Sequence, residues 1–410
     1  MNTQEKKNKK INVLCYVFYF VSLSYWITSS LNIMLLRVVQ MGVIIAIMLV
    51  EKKYVIKKNA LVISTILLLL ELFTAVFKSH HLTLDFAQLS GVIIALLFVS
   101  IVGSEMFKGS YVDFMTFISG YSLIMWGAYK IIPQFFYRLP TVKATALTAN
   151  TIFSLVPIQM NDYYRNFGCF EEPGVYQIFL CLAIMLTLFN HQRKFRKIIL
   201  FYLTMLTTLS TAGYIVACGI LVAYLFSRSS GKIEGKFKRN LLMCCLCVGI
   251  ISAFVVSNGG NVIDSRVFEK FQNLTNGSAF ERFRAVSIAL NSFENNILLG
   301  CGWGNWSQSY LNKGILTCTP LNWFAIYGFL YGIITNLGIY LACCQIANSR
   351  QSGLLLSICF WMMIFSQDMA GNVIILCIIL YAYNDIRWFR KTNQTVSPVD
   401  SNTLSHSNYA

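Results

Sequence analysis

ALVISTILLLLELFTAVF, residues 60–77, holds a single charge, Glu71. A helix of about 20 apolar residues crosses a hydrocarbon core of about 30 Å. A run that is apolar on every side has no polar face to turn to water. Runs of this kind recur at 11–28, 31–50, 84–102, 111–131, 174–190, 241–257, 321–346, 354–365 and 373–384. Hydrophobic residues make up 56% of the chain and charged residues 12%, a balance that no soluble domain of this length needs. The expected fold is an all-α polytopic membrane protein.

Charge sets the expected topology. Residues 198–226 are long enough for one crossing, yet both flanks are basic. Arg193, Lys194, Arg196 and Lys197 precede the run, and Arg228, Lys232, Lys236, Lys238 and Arg239 follow it. Basic flanks stay in the cytoplasm, so the chain must cross an even number of times here. Two short helices with a turn at 209–213, Leu-Ser-Thr-Ala-Gly, meet that demand; a re-entrant segment has the same topology. Alternate counting then gives about twelve transmembrane helices, cytoplasmic termini and two large exoplasmic loops, 132–173 and 258–320. Residues 1–392 read as one integral membrane domain, and 393–410 as a disordered cytoplasmic tail. Lys6, Lys7, Lys9 and Lys10 precede a full-length first span without a small-residue cleavage site, so that span is expected to remain. The net charge of +16 is assigned to inner loops, and nucleic acid is not an expected partner. Most cysteines fall in spans and act as small apolar residues. Only Cys169, Cys301 and Cys318 lie in long loops, and no Cys or His spacing fits a metal.

The candidate chemistry lies in the two loops. The first holds Arg165-Asn166-Phe167-Gly168-Cys169-Phe170-Glu171-Glu172-Pro173-Gly174-Val175-Tyr176. Pro173 suits the first position of a helix. Glu172 would then sit at the N-cap and Glu171 just before it, where the helix dipole favours negative charge. A catalytic role for these carboxylates is the alternative. Arg165 has no such local explanation, and a guanidinium fork suits phosphate. The second loop offers Arg282 and Arg284 at the start of a helical pattern over 280–293, expected to lie in the membrane interface. They either anchor to acidic headgroups or bind a ligand. Gly300-Cys301-Gly302-Trp303-Gly304-Asn305 is dense in glycine and could wrap a sugar or phosphate. It is neither a P-loop nor a dinucleotide fingerprint. Trp303, Trp306, Tyr310 and Trp323 could stack on sugar rings or form the interfacial aromatic belt, the better reading for Trp323. Within the membrane, Arg37 and Glu71 reach similar heights in the outer half. Such charges are costly alone, so an Arg37–Glu71 ion pair is expected.

The pattern R-x-F-G-x-F-x-E-P-G at 165–174 and A-L-N-x-F-x-x-N-x-L-L-G-x-G-x-G-N at 289–305 resembles the Wzy-type O-antigen and capsular polysaccharide polymerases. These belong to a superfamily with the O-antigen ligases. The turn at 209–213 matches that superfamily in part, with Thr211-Ala212 at its centre. The resemblance covers most of the chain by topology and about 35 residues by motif. It implies a glycosyltransferase that joins undecaprenyl-diphosphate-linked oligosaccharide repeats on the outer face of the bacterial inner membrane, releasing undecaprenyl diphosphate. Arg165 and either Arg282 or Arg284 take the places of the family's loop arginines. Glu171 or Glu172 is a candidate base, Tyr176 and the 300–305 segment are candidate substrate contacts, and no metal or other cofactor is demanded. Membrane lipids, a chain-length regulator and a flippase are implied partners. A ligase usually carries a His in its large outer loop, which residues 258–320 lack. A flippase would line a midplane path with charge rather than place it in loops.

Overall fold

The computed structural model describes residues 3–52, 54–78, 82–159, 165–189, 195–227, 235, 278–313 and 317–384. The expected span at 241–257, the first part of the second loop (258–277) and the tail at 393–410 lie outside the described residues.

Most described residues are helical. Ile33–Glu51, Lys58–Lys78, Leu84–Ile101 and Phe329–Ala347 are long and apolar enough to cross a membrane. Pro173–Leu188, Thr211–Phe226, Arg350–Phe365 and Val373–Asn384 are shorter apolar helices. Pro173–Leu188 and Val373–Asn384 are buried along almost their whole length, so they form the centre against which the other helices pack. Many apolar side chains on outer helices are exposed, Val38 at 65% and Leu49 at 69% among them. In water that surface would be unfavourable; facing lipid it costs nothing.

The reversal expected at 209–213 is present. Phe195–Thr208 ends at Leu209, whose φ is 49°, and Thr211–Phe226 begins two residues later. Tyr202 donates to the Ala217 carbonyl at 3.0 Å and Tyr214 to the Leu206 carbonyl at 2.8 Å, so the two helices fold back on each other.

Three expectations need correction. The first run is split: Thr3–Leu23 ends at Ser24, and a short helix, Tyr25–Ser30, follows. The fold is not all-α. The loop at 132–173 contains an antiparallel sheet of β1 (Thr141–Lys143), β2 (Leu147–Asn150) and β3 (Leu155–Gln159), in that order. Thr, Val, Leu and Ile supply the half-buried faces, and Ala149, Val156 and Ile158 pack on Tyr129 and Phe136. The run at 321–346 is also not one helix. Thr319–Tyr327 stops at Gly328, and Phe329–Ala347 starts anew.

Candidate functional site

The Glu-Glu-Pro-Gly corner is held by the sheet and by residues 366–372. Leu155 of β3 donates its N–H to the Gly168 carbonyl at 2.6 Å, tying the strand to the segment before the corner. Thr145, in the β1–β2 turn, donates to the Glu171 carbonyl at 3.2 Å and reaches the Glu172 carboxylate at 3.5 Å.

Glu172 occupies the N-cap position of Pro173–Leu188, and Val175 and Tyr176 donate to its carbonyl. Its side chain does not cap the helix. It accepts a hydrogen bond from the Gln367 amide instead. Glu172 thus takes the expected N-cap position without a side-chain cap bond, and Glu171 is exposed.

Arg282 lies on Ser278–Glu294, and the Glu172 carboxylate acts on its guanidinium. Burial lowers the Arg282 pKa from its usual value, and Glu172 opposes that shift. The two residues are 110 positions apart in sequence (282 − 172). Arg284 does not join them. Successive helical positions turn about 100°, so Arg284 points some 200° away from Arg282. It is exposed and pairs with Glu281 at 3.9 Å. Of the two candidates, Arg282 is the one coupled electrostatically to Glu172, while Arg284 pairs within its own helix.

Arg165 donates from Nε to the Thr208 carbonyl at 2.9 Å. Thr208 ends its helix, so this guanidinium satisfies a terminal carbonyl and opposes the dipole. Asn166 follows the same path, bonding the backbone and hydroxyl of Thr207. Ser210 in the adjoining turn donates to Gln177, one turn into the corner's helix, and Gln177 donates to Ser366. Arg165 and Glu172 thus attach to the same end of the helical bundle.

The glycine segment serves packing. Gly300 has φ 71°, and a Cβ there would stand 2.2 Å from the Ile326 carbonyl oxygen. Gly328 has φ 85°, and its Cβ would meet the Leu298 carbonyl oxygen at 2.1 Å. Cys301 and Gly302 donate to the Ala325 and Ile326 carbonyls, and Phe329 to that of Ile297. The two segments dock backbone to backbone, which only glycine at both positions permits. Gly302 is buried, Trp303 begins a helix, Trp303–Lys313, and Gly304 is buried within it. Asn305 donates to the Lys78 and Cys301 carbonyls. Tyr176 is fully buried, bonded to Ser122 at 3.0 Å and stacked on Phe170. Trp323 is also fully buried and donates to the Ala370 carbonyl at 3.1 Å, so it belongs to no surface belt. Gly300, Gly302, Asn305 and Tyr176 hold the fold rather than face open space.

Arg37 and Glu71 are both buried, but the expected ion pair is not made. Arg37 donates to the carbonyls of Ala87 and Gly371 and to Gln40. Glu71 accepts from the Tyr331 hydroxyl at 2.8 Å. Carbonyl oxygens of a neighbouring helix and of the 366–372 connector reach the guanidinium fork first, and a phenol satisfies the carboxylate. The two charges act on each other only through space.

Sequence reading passed over residues 366–372, Ser-Gln-Asp-Met-Ala-Gly-Asn, as a connector. Ser366 and Gln367 fasten the corner's helix, and Thr319 bonds both Gln367 and Met369. The available signal was a run of polar residues confined between two apolar helices. No protein-family model matches the chain, and no curated protein matches it.

Proposed function

We propose that this chain is a polysaccharide polymerase of the Wzy type. It transfers a growing chain from undecaprenyl diphosphate onto a fresh lipid-linked repeat at the outer face of the bacterial cytoplasmic membrane. The reading takes about twelve spans, both termini in the cytoplasm, and Ser278–Glu294 lying at the interface. The observation that carries it is the electrostatic coupling of Arg282 to Glu172, the residue before Pro173–Leu188. One residue comes from each expected outer loop: Glu172 lies in the first motif, and Arg282 stands seven positions before the second (289 − 282). An arginine in a partly buried site stabilises the negative charge that develops as a diphosphate leaves. Arg165, fixed to the same end of the bundle, adds a second positive charge. Membrane lipids surround the protein in this reading, and the flippase and chain-length regulator act before and beside it.

Polysaccharide ladders from cells carrying each variant test the proposal. Arg282→Ala and Arg165→Ala should collapse the ladder to a single repeat while the protein still inserts. Arg284→Ala should leave it long. Full ladders from both Arg282→Ala and Arg165→Ala would sink the assignment.

A further inference from the structure

Asp368 is a short step from the Glu172 corner, next to Gln367. Its Oδ1 accepts the Ala370 N–H at 3.2 Å, which fixes the carboxylate. The Thr319 hydroxyl donates to the Gln367 carbonyl at 2.7 Å and accepts the Met369 N–H at 2.6 Å, so the backbone on both sides is pinned. Two further side chains turn to Asp368: the Asn322 amide and the Trp306 indole. Asn322 is 0% exposed and Trp306 2% exposed. Both approach the Asp368 carboxylate closely enough to favour its charged form, yet among the described residues Nδ2 and Oδ1 of Asn322 and Nε1 of Trp306 complete no well-formed hydrogen bond. Buried polar atoms are nearly always satisfied, and those that are not call for a reason, such as strain, a catalytic role or a bound group. Asp368 itself keeps a partly accessible edge.

The chemistry of the three groups selects a ligand. A phosphate needs donors only, and the Asp368 carboxylate would repel it. A metal ion needs acceptors only, and the indole N–H would face it with a hydrogen. A hydroxyl both donates and accepts. The carboxylate and the Asn322 carbonyl accept; the indole N–H and the Asn322 amino group donate. We propose that Asp368, Asn322 and Trp306 form a sugar-hydroxyl subsite in which Asp368 is the proton acceptor for the attacking hydroxyl.

The inference rests on the polymerase reading and names its acceptor side. The hydroxyl oxygen of the acceptor sugar forms a bond to the anomeric carbon of the donor. The bond from that carbon to the diphosphate oxygen breaks, and its electron pair leaves with undecaprenyl diphosphate. The hydroxyl proton passes to Asp368. Surrounding protein raises the Asp368 pKa above the usual carboxylate value, which brings it nearer to that of a useful base.

The test uses the full chain in its own cells, with ladder length and the melting of purified protein as paired readouts. Asp368→Asn keeps an oxygen for the Ala370 N–H, so it should melt like the parent yet cut chain extension at least tenfold. Asp368→Glu should restore part of that loss. Asn322→Leu removes a buried amide that makes no well-formed hydrogen bond, so it should melt close to the parent temperature and still shorten the ladder. Arg282→Ala and Arg165→Ala are run beside them. Long ladders in Asp368→Asn and Asn322→Leu, with a single repeat in Arg282→Ala, would overturn the subsite and leave the polymerase reading standing. Ladder loss that tracks falling melting temperature in both variants would also overturn it, since a merely structural role gives that result. Long ladders in both Arg282→Ala and Arg165→Ala would instead remove the polymerase reading.

Discussion

Gln367 donates its side-chain amide to the Glu172 carboxylate, joining two loops 195 residues apart. Glu172 stands at the N-cap position of its helix, but its carboxylate bonds Gln367 rather than the helix N–H groups and acts electrostatically on Arg282. The corner is therefore built by tertiary contact rather than by local capping.

Gln367→Leu should loosen the corner. A hydrogen bond to a charged group contributes about 1.5–3 kcal/mol, and partial exposure of Glu172 places this one at the lower end. Thr145→Val removes only a 3.5 Å approach and should matter less. Thermal melting of purified variants checks the order; a larger loss from Thr145→Val would reverse the account.

Tyr331→Phe should destabilise the protein by about 1–3 kcal/mol, because it strips the Glu71 carboxylate of its 2.8 Å partner. Glu71→Gln should cost less, since a neutral amide needs less compensation in a low dielectric. In the double variant the two losses should not add, because they remove one interaction. Additive losses in a double-mutant cycle would show that the two side chains act separately.

Arg37→Lys should be nearly as damaging as Arg37→Met. The guanidinium reaches Ala87, Gln40 and Gly371 at 3.1, 3.0 and 3.3 Å, and an ammonium cannot span the three directions. Had an ion pair with Glu71 been the main contact, lysine would preserve much of it. Levels of folded protein after detergent extraction discriminate the two outcomes.

Gly300→Ala and Gly328→Ala should each abolish folded protein or lower melting sharply. Both glycines have positive φ, and each substituted Cβ would fall within 2.2 Å of a backbone carbonyl oxygen. Positive φ alone costs about 1–2 kcal/mol in a residue with a Cβ, before the clash is counted. Gly42→Ala, where a Cβ meets nothing within 4 Å, is the matched control and should be neutral or stabilising. Normal melting of Gly300→Ala would mean that the docked segments can separate.

The reversal at Leu209 was legible because charge counts crossings even where hydropathy shows one run. The helix Ser278–Glu294 was legible because its apolar residues recur at helical spacing. The three-stranded sheet was not, since strands of three to five residues leave too short an alternation. The break at Gly328 was hidden for a different reason. One glycine inside an apolar run reads as tolerated helix, and only the docking of residues 297–302 makes it a corner.

Apolar length and the distribution of charge were enough to determine that this chain builds membrane-length helices, because those quantities are summed locally along the chain. Which polar groups meet was decided only in three dimensions. Arg37 was expected beside Glu71 and bonds carbonyls; Glu172 takes its expected N-cap position, yet its carboxylate bonds Gln367. A polar side chain takes whichever partner packing brings within reach, and packing joins segments hundreds of residues apart that share no local signature.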